Sequence, residues 1–179
     1  MKSGSFLGIF AVGILTFSFA HADQPRFVDA RDFDIAGVKT GMDYDQALAI
    51  MAKHFKIAPT KIGKNGNDYL YYENDGIKLS VHFKQRIPEN KVHPLVVSAV
   101  IYKIPRTDAN ADAMKEAALT KYGKPSKDFL GMLRWCMKPC GDKEASLVLS
   151  GTEMSLHDPA WHNALFKHRV DSNARKPDF

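Results

Sequence analysis

The stretch Asn67–Gln85, NDYLYYENDGIKLSVHFKQ, carries the strongest fold signal in the chain. Its residues 74–76, Asn-Asp-Gly, are typical of a tight β-hairpin turn, because these residue types tolerate positive φ angles. After the turn the side chains alternate strictly, the apolar ones being Ile77, Leu79, Val81 and Phe83 and the polar ones Lys78, Ser80, His82 and Lys84. This alternation predicts an antiparallel sheet with one covered face and one face in water.

Further strands are expected before and after the hairpin. A strand-like entry spans Phe33–Met42, and two later strands are predicted in Met132–Met137 and Ala145–Leu156. The stretch Leu95–Ile104 is more uniformly apolar than the others, which is typical of a strand that is buried on both faces. We therefore expect about five strands, with Leu95–Ile104 at the centre of the sheet.

Three helices are predicted, near residues 44–56, 109–122 and 159–168. Asp43 and Gln46 have the capping-box pattern at the start of the first helix, since each side chain can bind the other residue's backbone N–H. The N-cap candidates of the other two helices are Thr107 or Asp108 and, for the third, Asp158. The predicted order of elements is β-α-β-β-β-α-β-β-α. Because consecutive strands have short links, this order predicts an α+β fold in which the helices pack on one face of an antiparallel sheet.

The N-terminus has the pattern of a secretory signal peptide. Lys2 precedes an apolar run, Phe6–Ala20, and small residues follow at the positions that a signal peptidase reads. The run is shorter than the roughly 20 residues of a membrane-spanning helix. We therefore expect cleavage between Ala22 and Asp23, loss of residues 1–22, and a periplasmic or secreted mature protein without a membrane span. No Cys lies near the cleavage site, so a lipid anchor is not predicted.

The mature chain, residues 23–179, is expected to form a single α+β domain with a short flexible leader and a C-terminal tail. The leader includes Asp29–Asp34, and the tail is Ser172–Phe179. The formal net charge of the full chain is +5, and removal of Lys2 with the signal peptide leaves +4. Because the basic residues are scattered rather than clustered, nucleic-acid binding is not predicted.

Two short stretches are similar to parts of known periplasmic domains. Gly37–Met51, GVKTGMDYDQALAIM, resembles the Gly-Met helix entry of the outer-membrane-assembly lipoproteins of the SmpA/OmlA type and of β-lactamase-inhibitor-like proteins. Leu119–Ser126, LTKYGKPS, is similar to a Gly-x-Pro helix ending in such domains. Gly41 and Met42 match the first motif as fold residues. The resemblance implies a small α+β domain that binds other proteins rather than one that catalyses a reaction.

The two cysteines lie in RWCMKPCGD, which looks like the start of a thioredoxin active site. Three residues separate Cys136 from Cys140, whereas the thioredoxin motif has two. Gly141 and Asp142 then favour a turn, so no helix N-terminus is expected to lower the pKa of a thiol. In an exported protein an even number of cysteines favours disulfide formation. We predict a structural disulfide between Cys136 and Cys140, with thiol redox chemistry as the alternative.

A copper-binding role is a further alternative for this motif. Cys136, Met137 and Cys140 are soft ligands that suit Cu(I), and a His from elsewhere could join them. The histidines of the mature chain show no i, i+4 pair and no HExxH motif. They are His54, His82, His93, His157, His162 and His168. We therefore expect no metal site and no cofactor.

The chain contains no GxSxG motif, no phosphate-binding Gly loop and no dinucleotide fingerprint. A triad assembled from distant residues leaves no such pattern and stays open at this point. Aromatic residues that would suit a protein interface, or would pack between sheet and helices, are Tyr69, Tyr71, Tyr72, Trp135 and Trp161. We expect a non-enzymatic protein-binding or accessory module whose partner is another periplasmic or envelope protein.

Overall fold

The computed structural model describes residues 26–173 of the chain. The expected signal peptide, its cleavage site and residues 174–179 of the expected tail lie outside the described residues. Within them, the helices are α1 (Tyr44–Phe55), α2 (Asp108–Tyr122) and α3 (Pro159–Asn173). The strands are β1 (Gly63–Lys64), β2 (Tyr69–Asn74), β3 (Ile77–Gln85), β4 (Leu95–Lys103), β5 (Lys127–Phe129), β6 (Met132–Cys136), β7 (Ser146–Ser150) and β8 (Glu153–His157).

All eight strands belong to one antiparallel sheet with the order β1-β2-β3-β4-β8-β7-β6-β5. The antiparallel α+β fold is therefore confirmed, and β4 lies at the centre of the sheet as expected. The sheet is built from two similar halves, each consisting of a helix followed by a meander of four strands. The halves meet where β4 pairs with β8, so α1 belongs to one half and α2 to the other.

The predicted order of elements, β-α-β-β-β-α-β-β-α, is wrong in three places. The expected first strand contributes only a bridge between Ile35 and Val38, because the chain turns at Ala36 and Gly37 with positive φ at both. The stretch expected as one strand near the C-terminus is two, β7 and β8, joined by a turn at Gly151. The strands β1 and β5 were not expected, since two and three residues are too few to show a periodicity.

The predicted hairpin and capping box are both confirmed. Asp75 and Gly76 have φ angles of 50° and 75°, as a two-residue hairpin turn requires. The backbone N–H of Gln46 donates to Asp43 Oδ1 at 2.8 Å, and the N–H of Asp43 donates to Gln46 Oε1 at 3.1 Å. These local signals fix where α1 begins and which side of β3 enters the core.

The helices α1 and α2 pack on one face of the sheet, which we call the inner face. The ring centres of Tyr44 in α1 and Phe83 in β3 are 5.1 Å apart, and those of Tyr122 in α2 and Trp135 in β6 are 5.8 Å apart. The largest fully buried side chains come mainly from this layer, and they include Trp135, Phe83, Met51, Leu70, Leu79, Leu133, Leu147 and Leu156. Burial of each such side chain contributes about 1.5–3 kcal/mol.

The expected packing of all helices on one face does not hold for α3. This helix contacts β3 and β4, and the guanidinium of Arg86 lies 5.6 Å from the centre of the Trp161 ring. Lys84 follows the inner-face residue Phe83 and so lies on the opposite, outer face of the sheet. Val96 pairs with Lys84 because the register of β3 and β4 shifts between His82 and Phe83. Val96 is nevertheless fully buried. It lies at the end of β4, one of the two strands that α3 contacts.

The segment that precedes α1 is packed rather than flexible, which corrects the expectation of a flexible leader at Asp29–Asp34. Ala30, Ile35 and Val38 are buried in the core. The backbone N–H of Val28 also donates to the carbonyl of Cys136 at 3.1 Å. This segment therefore links the start of the described chain to β6 and contributes to the layer that contains α1 and α2.

Candidate functional site

The outer face of the sheet carries three rows of side chains that run across the strands. The register places the members of the first row side by side, and they are Tyr69, His82, Ala99, His157, Ser146 and Cys136. The second row consists of Tyr71, Ser80, Ile101, Ser155, Val148, Arg134 and Lys127. The third consists of Glu73, Lys78, Lys103, Glu153, Ser150, Met132 and Phe129. Each row crosses the junction between the two halves of the sheet.

An aromatic cluster lies on the β2–β3 side of the outer face. The rings of Tyr69 and Tyr71 are stacked with centres 5.6 Å apart, and the Tyr69 ring lies 4.8 Å from that of His82. The hydroxyl of Tyr69 donates to Ser80 Oγ at 3.0 Å. The ring of Tyr71 also lies over Gly63, where a Cβ atom would overlap it. These contacts hold the exposed edges of the rings in a fixed arrangement.

The two histidines of the first row flank Ala99, one on each neighbouring strand. Partial burial, reinforced by the positive charge of Lys84, lowers the pKa of His82. Partial burial also lowers the pKa of His157, and this effect outweighs the opposing one of the Asp158 carboxylate. Both shifts favour the neutral imidazole in the middle of the outer face.

The charges of the third row are paired along the sheet. Lys78 Nζ lies 3.1 Å from Glu73 Oε2, and Lys103 Nζ lies 2.7 Å from Glu153 Oε2. The Lys78 ammonium is also 5.9 Å from the centre of the Tyr71 ring. Because each cation has a neighbouring anion, this row has polar side chains with little net charge.

An apolar hairpin tip lies at the end of the third row. Phe129, Leu130 and Met132 are 69%, 91% and 43% exposed, and the tip that they form connects β5 to β6. Leu130 and Gly131 have φ angles of 52° and 79°, so an exposed Leu occupies a left-handed position that Asn or Gly usually takes. The sequence reasoning missed this hairpin, because the expected polar turn signal is absent from the letters FLGM.

Cys136 and Cys140 are joined by a disulfide, with their Cα atoms 5.2 Å apart. Both residues are buried. Cys136 ends β6, and its backbone N–H donates to Ser126 Oγ at 3.1 Å. No helix begins at either cysteine. Arg134 Nη2 donates to the carbonyl of Gly141 at 3.0 Å, which ties the loop after the disulfide to the outer face.

The predicted interface aromatics separate into two groups. Trp135 is fully buried, and Tyr72 packs against Phe55 in the core with ring centres 4.2 Å apart. Tyr69, Tyr71 and Trp161 are half-buried at the surface. The structure therefore assigns only the second group to a surface. Within that group, Trp161 lies on α3 under the Arg86 guanidinium, whereas the two tyrosines of β2 stack on each other.

The histidines do not converge on a common centre. His54, His93, His162 and His168 are exposed, and His82 is half-buried. His157 is also exposed, although its surroundings partly desolvate the imidazole. His93 Nδ1 lies 3.6 Å from Asp43 Oδ2. Among residues 26–173, no group of three or more His, Cys, Asp or Glu side chains is arranged to hold a metal ion. Over the same range, no helix has the length and apolar character needed to cross a membrane.

Comparison with known proteins adds no relative. No protein family matches the chain, and no curated protein or solved structure is similar enough to count as a match. The chain is characterised by its α+β fold, by an outer sheet face with an aromatic cluster, and by an apolar hairpin tip at one edge of that face.

Proposed function

We propose that this protein is an exported, non-catalytic binding module that acts in the periplasm or as a secreted protein, and that it contacts another envelope protein through its outer face. The resemblance of Gly37–Met51 to periplasmic protein-binding domains favours the same class of function. The partner is proposed to contact the outer face, with the hairpin tip at Phe129–Met132 as the main anchor of the interface.

The observation that carries the proposal is the exposure of the hairpin tip. Apolar side chains as large as Phe129 and Leu130 stabilise a fold only when they are buried, and here they are in water. Leu130 also occupies a left-handed backbone position that Asn would occupy at lower cost. Leu130 is thus unfavourable for folding both by its exposure and by its backbone conformation. Burial against a partner would give it a favourable role, since interfaces concentrate their binding energy in a few large apolar anchors.

The rest of the outer face suits a protein contact. Its aromatic cluster is held by ring stacking and by the hydrogen bond between Tyr69 and Ser80, so little side-chain entropy is lost on binding. The paired charges of the third row give the polar rim that protein interfaces commonly have. Burial of the bonded Cys136 and Cys140 favours this function over the alternative of thiol redox or copper chemistry.

The test is site-specific photocrosslinking in cells that express the full chain. A photoreactive amino acid replaces Phe129 in one variant, Ser155 in the middle of the outer face in a second, and Val92 in a third. Val92 is 79% exposed and lies between β3 and β4, so it serves as the control for exposed apolar residues. We expect the same crosslinked protein from positions 129 and 155 and no product from position 92.

The variant Leu130→Asn then separates binding from folding. Asn suits the left-handed position, so the melting temperature should stay the same or rise. The yield of the crosslink from Phe129 should nevertheless fall by about tenfold, since one apolar anchor of this kind contributes about 1–2 kcal/mol or more. Equal crosslinking from all three positions, or an undiminished yield in Leu130→Asn, would overturn the proposal.

A further inference from the structure

A groove of about 460 Å³ runs along the inner side of the molecule, on the face opposite to the proposed protein-binding surface. We call it the inter-helix groove. Tyr102 and Met154 line it from the two central strands, Ala113 and Ala117 from α2, and His54 from the end of α1. Its volume lies in the range of roughly 300–1,000 Å³ that is typical of small-molecule sites.

The groove exists because α1 and α2 belong to different halves of the sheet. The segment before α1 packs into the core with Ala30, Ile35 and Val38, and Ile35 lines the groove beside Tyr102 and Met154. The remaining space stays open above Tyr102 and Met154, which pair with each other across β4 and β8. Side chains larger than Ala at positions 113 and 117 would narrow this space, since both residues line it.

The lining is apolar along its length, and its polar groups are few. The exposed surface of the groove is mainly contributed by carbon atoms of Ala, Ile, Met and Tyr side chains. The hydroxyl of Tyr102 has no hydrogen-bond partner among the described residues, and partial burial raises the pKa of this phenol. An apolar chain in the groove would cover a surface that consists mainly of carbon atoms.

The charge at the rim has one sign. Lys121 and His54 line the groove, and Lys53 lines a smaller concavity that shares His54 with it. Among residues 26–173, no carboxylate lines either concavity. The nearest one, Asp34, is bound to Lys121 Nζ at 2.7 Å and to the backbone N–H of Gly37 at 2.8 Å.

The acidic residues of α2 lie on a different side of the helix. Asp112 and Glu116 line a separate concavity together with Lys115 and Thr120. Because Asp34 neutralises Lys121, the positive charge left beside the inter-helix groove is that of Lys53 in the adjoining concavity, which an anionic group would complement.

We propose that the inter-helix groove binds a single-chain amphiphile with a carboxylate head, of the fatty-acid class. The alkyl chain lies along Ala113, Ala117, Tyr102 and Met154. The carboxylate lies at the end of the groove near His54, beside the adjoining concavity that Lys53 lines. This site is on the opposite side of the sheet from the hairpin tip, so it does not depend on the protein-binding function proposed above.

The probe for the test is dodecanoate, titrated calorimetrically into the mature full-length protein below its micelle concentration. Dodecanol and dodecyltrimethylammonium have the same chain with a neutral and a cationic head. We expect dodecanoate to bind with one-to-one stoichiometry, dodecanol to bind about tenfold more weakly, and dodecyltrimethylammonium more weakly still. Absence of dodecanoate binding, or equal affinity for the anionic and cationic probes, would overturn the proposal.

Two pairs of variants locate the binding site. Ala117→Leu fills the groove and should weaken dodecanoate binding by about tenfold or more, whereas Leu119→Phe enlarges an exposed side chain on the far side of α2 and should have no effect. Lys53→Gln should weaken dodecanoate about fivefold and leave dodecanol unchanged, with Lys115→Gln as its control.

Circular dichroism melting of each variant shows whether the fold is retained. Equal effects of Ala117→Leu and Leu119→Phe in folded protein would exclude the groove as the site. If Lys53→Gln weakens both probes alike, the carboxylate head is not held where we place it.

Discussion

Arg31 and Asp158, 127 positions apart in the chain, form an ion pair in which Arg31 Nε donates to Asp158 Oδ2 at 2.9 Å. Asp158 is only 3% exposed, and its other carboxylate oxygen accepts the backbone N–H of Ala160 at 3.0 Å. Its own N–H donates to the carbonyl of Ser98 at 2.9 Å. The Asp158 carboxylate therefore caps α3 and joins it to the segment before α1, and the backbone N–H of Asp158 joins it to the central strand β4.

The first prediction concerns this pair. Arg31→Met should destabilise the protein by about 1–2 kcal/mol, because Asp158 is then left as a buried carboxylate without its cationic partner. The Arg31 side chain is itself nearly half exposed, so water that replaces it should keep the loss at the lower end of this range. Urea unfolding at pH 7 measures the change in the free energy of unfolding.

Two variants serve as controls for Arg31→Met. Lys78→Met breaks the surface pair with Glu73, and it should change stability less than Arg31→Met does, since solvent screens exposed pairs. Asp158→Ala removes the cap of α3 as well as the ion pair, so it should cost more than Arg31→Met. An equal loss of unfolding free energy in the Arg31 and Lys78 variants would show that the burial of Asp158 does not strengthen its ion pair.

The second prediction concerns the loss of folding stability at acid pH. Burial alone would raise the pKa of Asp34, but hydrogen bonds from Lys121 and from the Gly37 N–H outweigh it and lower this pKa below its usual value. The unfolded chain then binds the proton at a higher pH than the folded one. The contribution of Asp34 is therefore complete above its ordinary pKa of about 4 and is lost as the pH falls through the lower folded value.

Asp34→Asn should consequently be less stable than the wild type at pH 7 and should show a shallower loss of stability below about pH 4. Unfolding in urea between neutral pH and about pH 3 measures both effects. Asp112→Asn, at an exposed position on the far side of α2, is the control and should keep the slope of the wild type. A parallel pH profile for Asp34→Asn would mean that the contact with Lys121 contributes nothing.

The third prediction concerns the two histidines of the outer face. Burial lowers the pKa of His82 and of His157 in the folded state. The unfolded chain therefore takes up these protons first as the pH falls. Their contribution to stability is complete above the unfolded pKa of about 6.5 and is lost as the pH falls through the folded values.

The variant His82→Gln should lose less stability than the wild type between about pH 6.5 and pH 5. His168→Gln, at an exposed position on α3, is the matched control and should follow the wild type. Melting temperatures measured at closely spaced pH values distinguish His82→Gln from His168→Gln. If both variants follow the wild-type curve, then protonation of the outer face does not affect the fold.

Local sequence signals were sufficient to predict the elements with strong periodicity or caps. Asp43 and Gln46 specified where α1 begins, and the turn at Asp75 and Gly76 specified the hairpin and the covered side of β3. The hairpin between β5 and β6 was missed, because Leu130 occupies a position where the usual signal is Asn or Asp. An unfavourable residue in a turn hides that turn from sequence reasoning.

The two candidate sites depend on contacts that no local pattern contains. The rows of the outer face need the register of β4 with β8, which joins residues such as Ala99 and His157 from the two halves of the chain. The inter-helix groove is lined by His54 and Ala117 from helices that are separated by four strands. Alternation predicted which side of each strand is covered, but it could not predict which strands are neighbours.

The last prediction is that the disulfide between Cys136 and Cys140 is structural and inert. Both cysteines are buried, and no helix N-terminus is present to stabilise a thiolate at either position. The closed loop is short, so the chain-entropy model assigns it about 2 kcal/mol. Replacing both residues by Ser should therefore lower the free energy of unfolding by about 2 kcal/mol or less and leave crosslinking from Phe129 unchanged.

Thiol trapping distinguishes an inert bond from a catalytic one, because a catalytic disulfide exchanges with partner thiols whereas an unstrained structural one resists reduction. Protein taken from cells should show no free thiol and no mixed disulfide. Cys140→Ser leaves a single thiol, that of Cys136. Cys136 is the last residue of β6, and its backbone N–H donates to the buried Ser126 side chain. We expect this thiol to react slowly with an alkylating reagent in the folded protein and rapidly after unfolding. Accumulation of mixed disulfides through Cys136 in that variant would instead show that the pair takes part in thiol exchange, and the redox function would then replace the structural one.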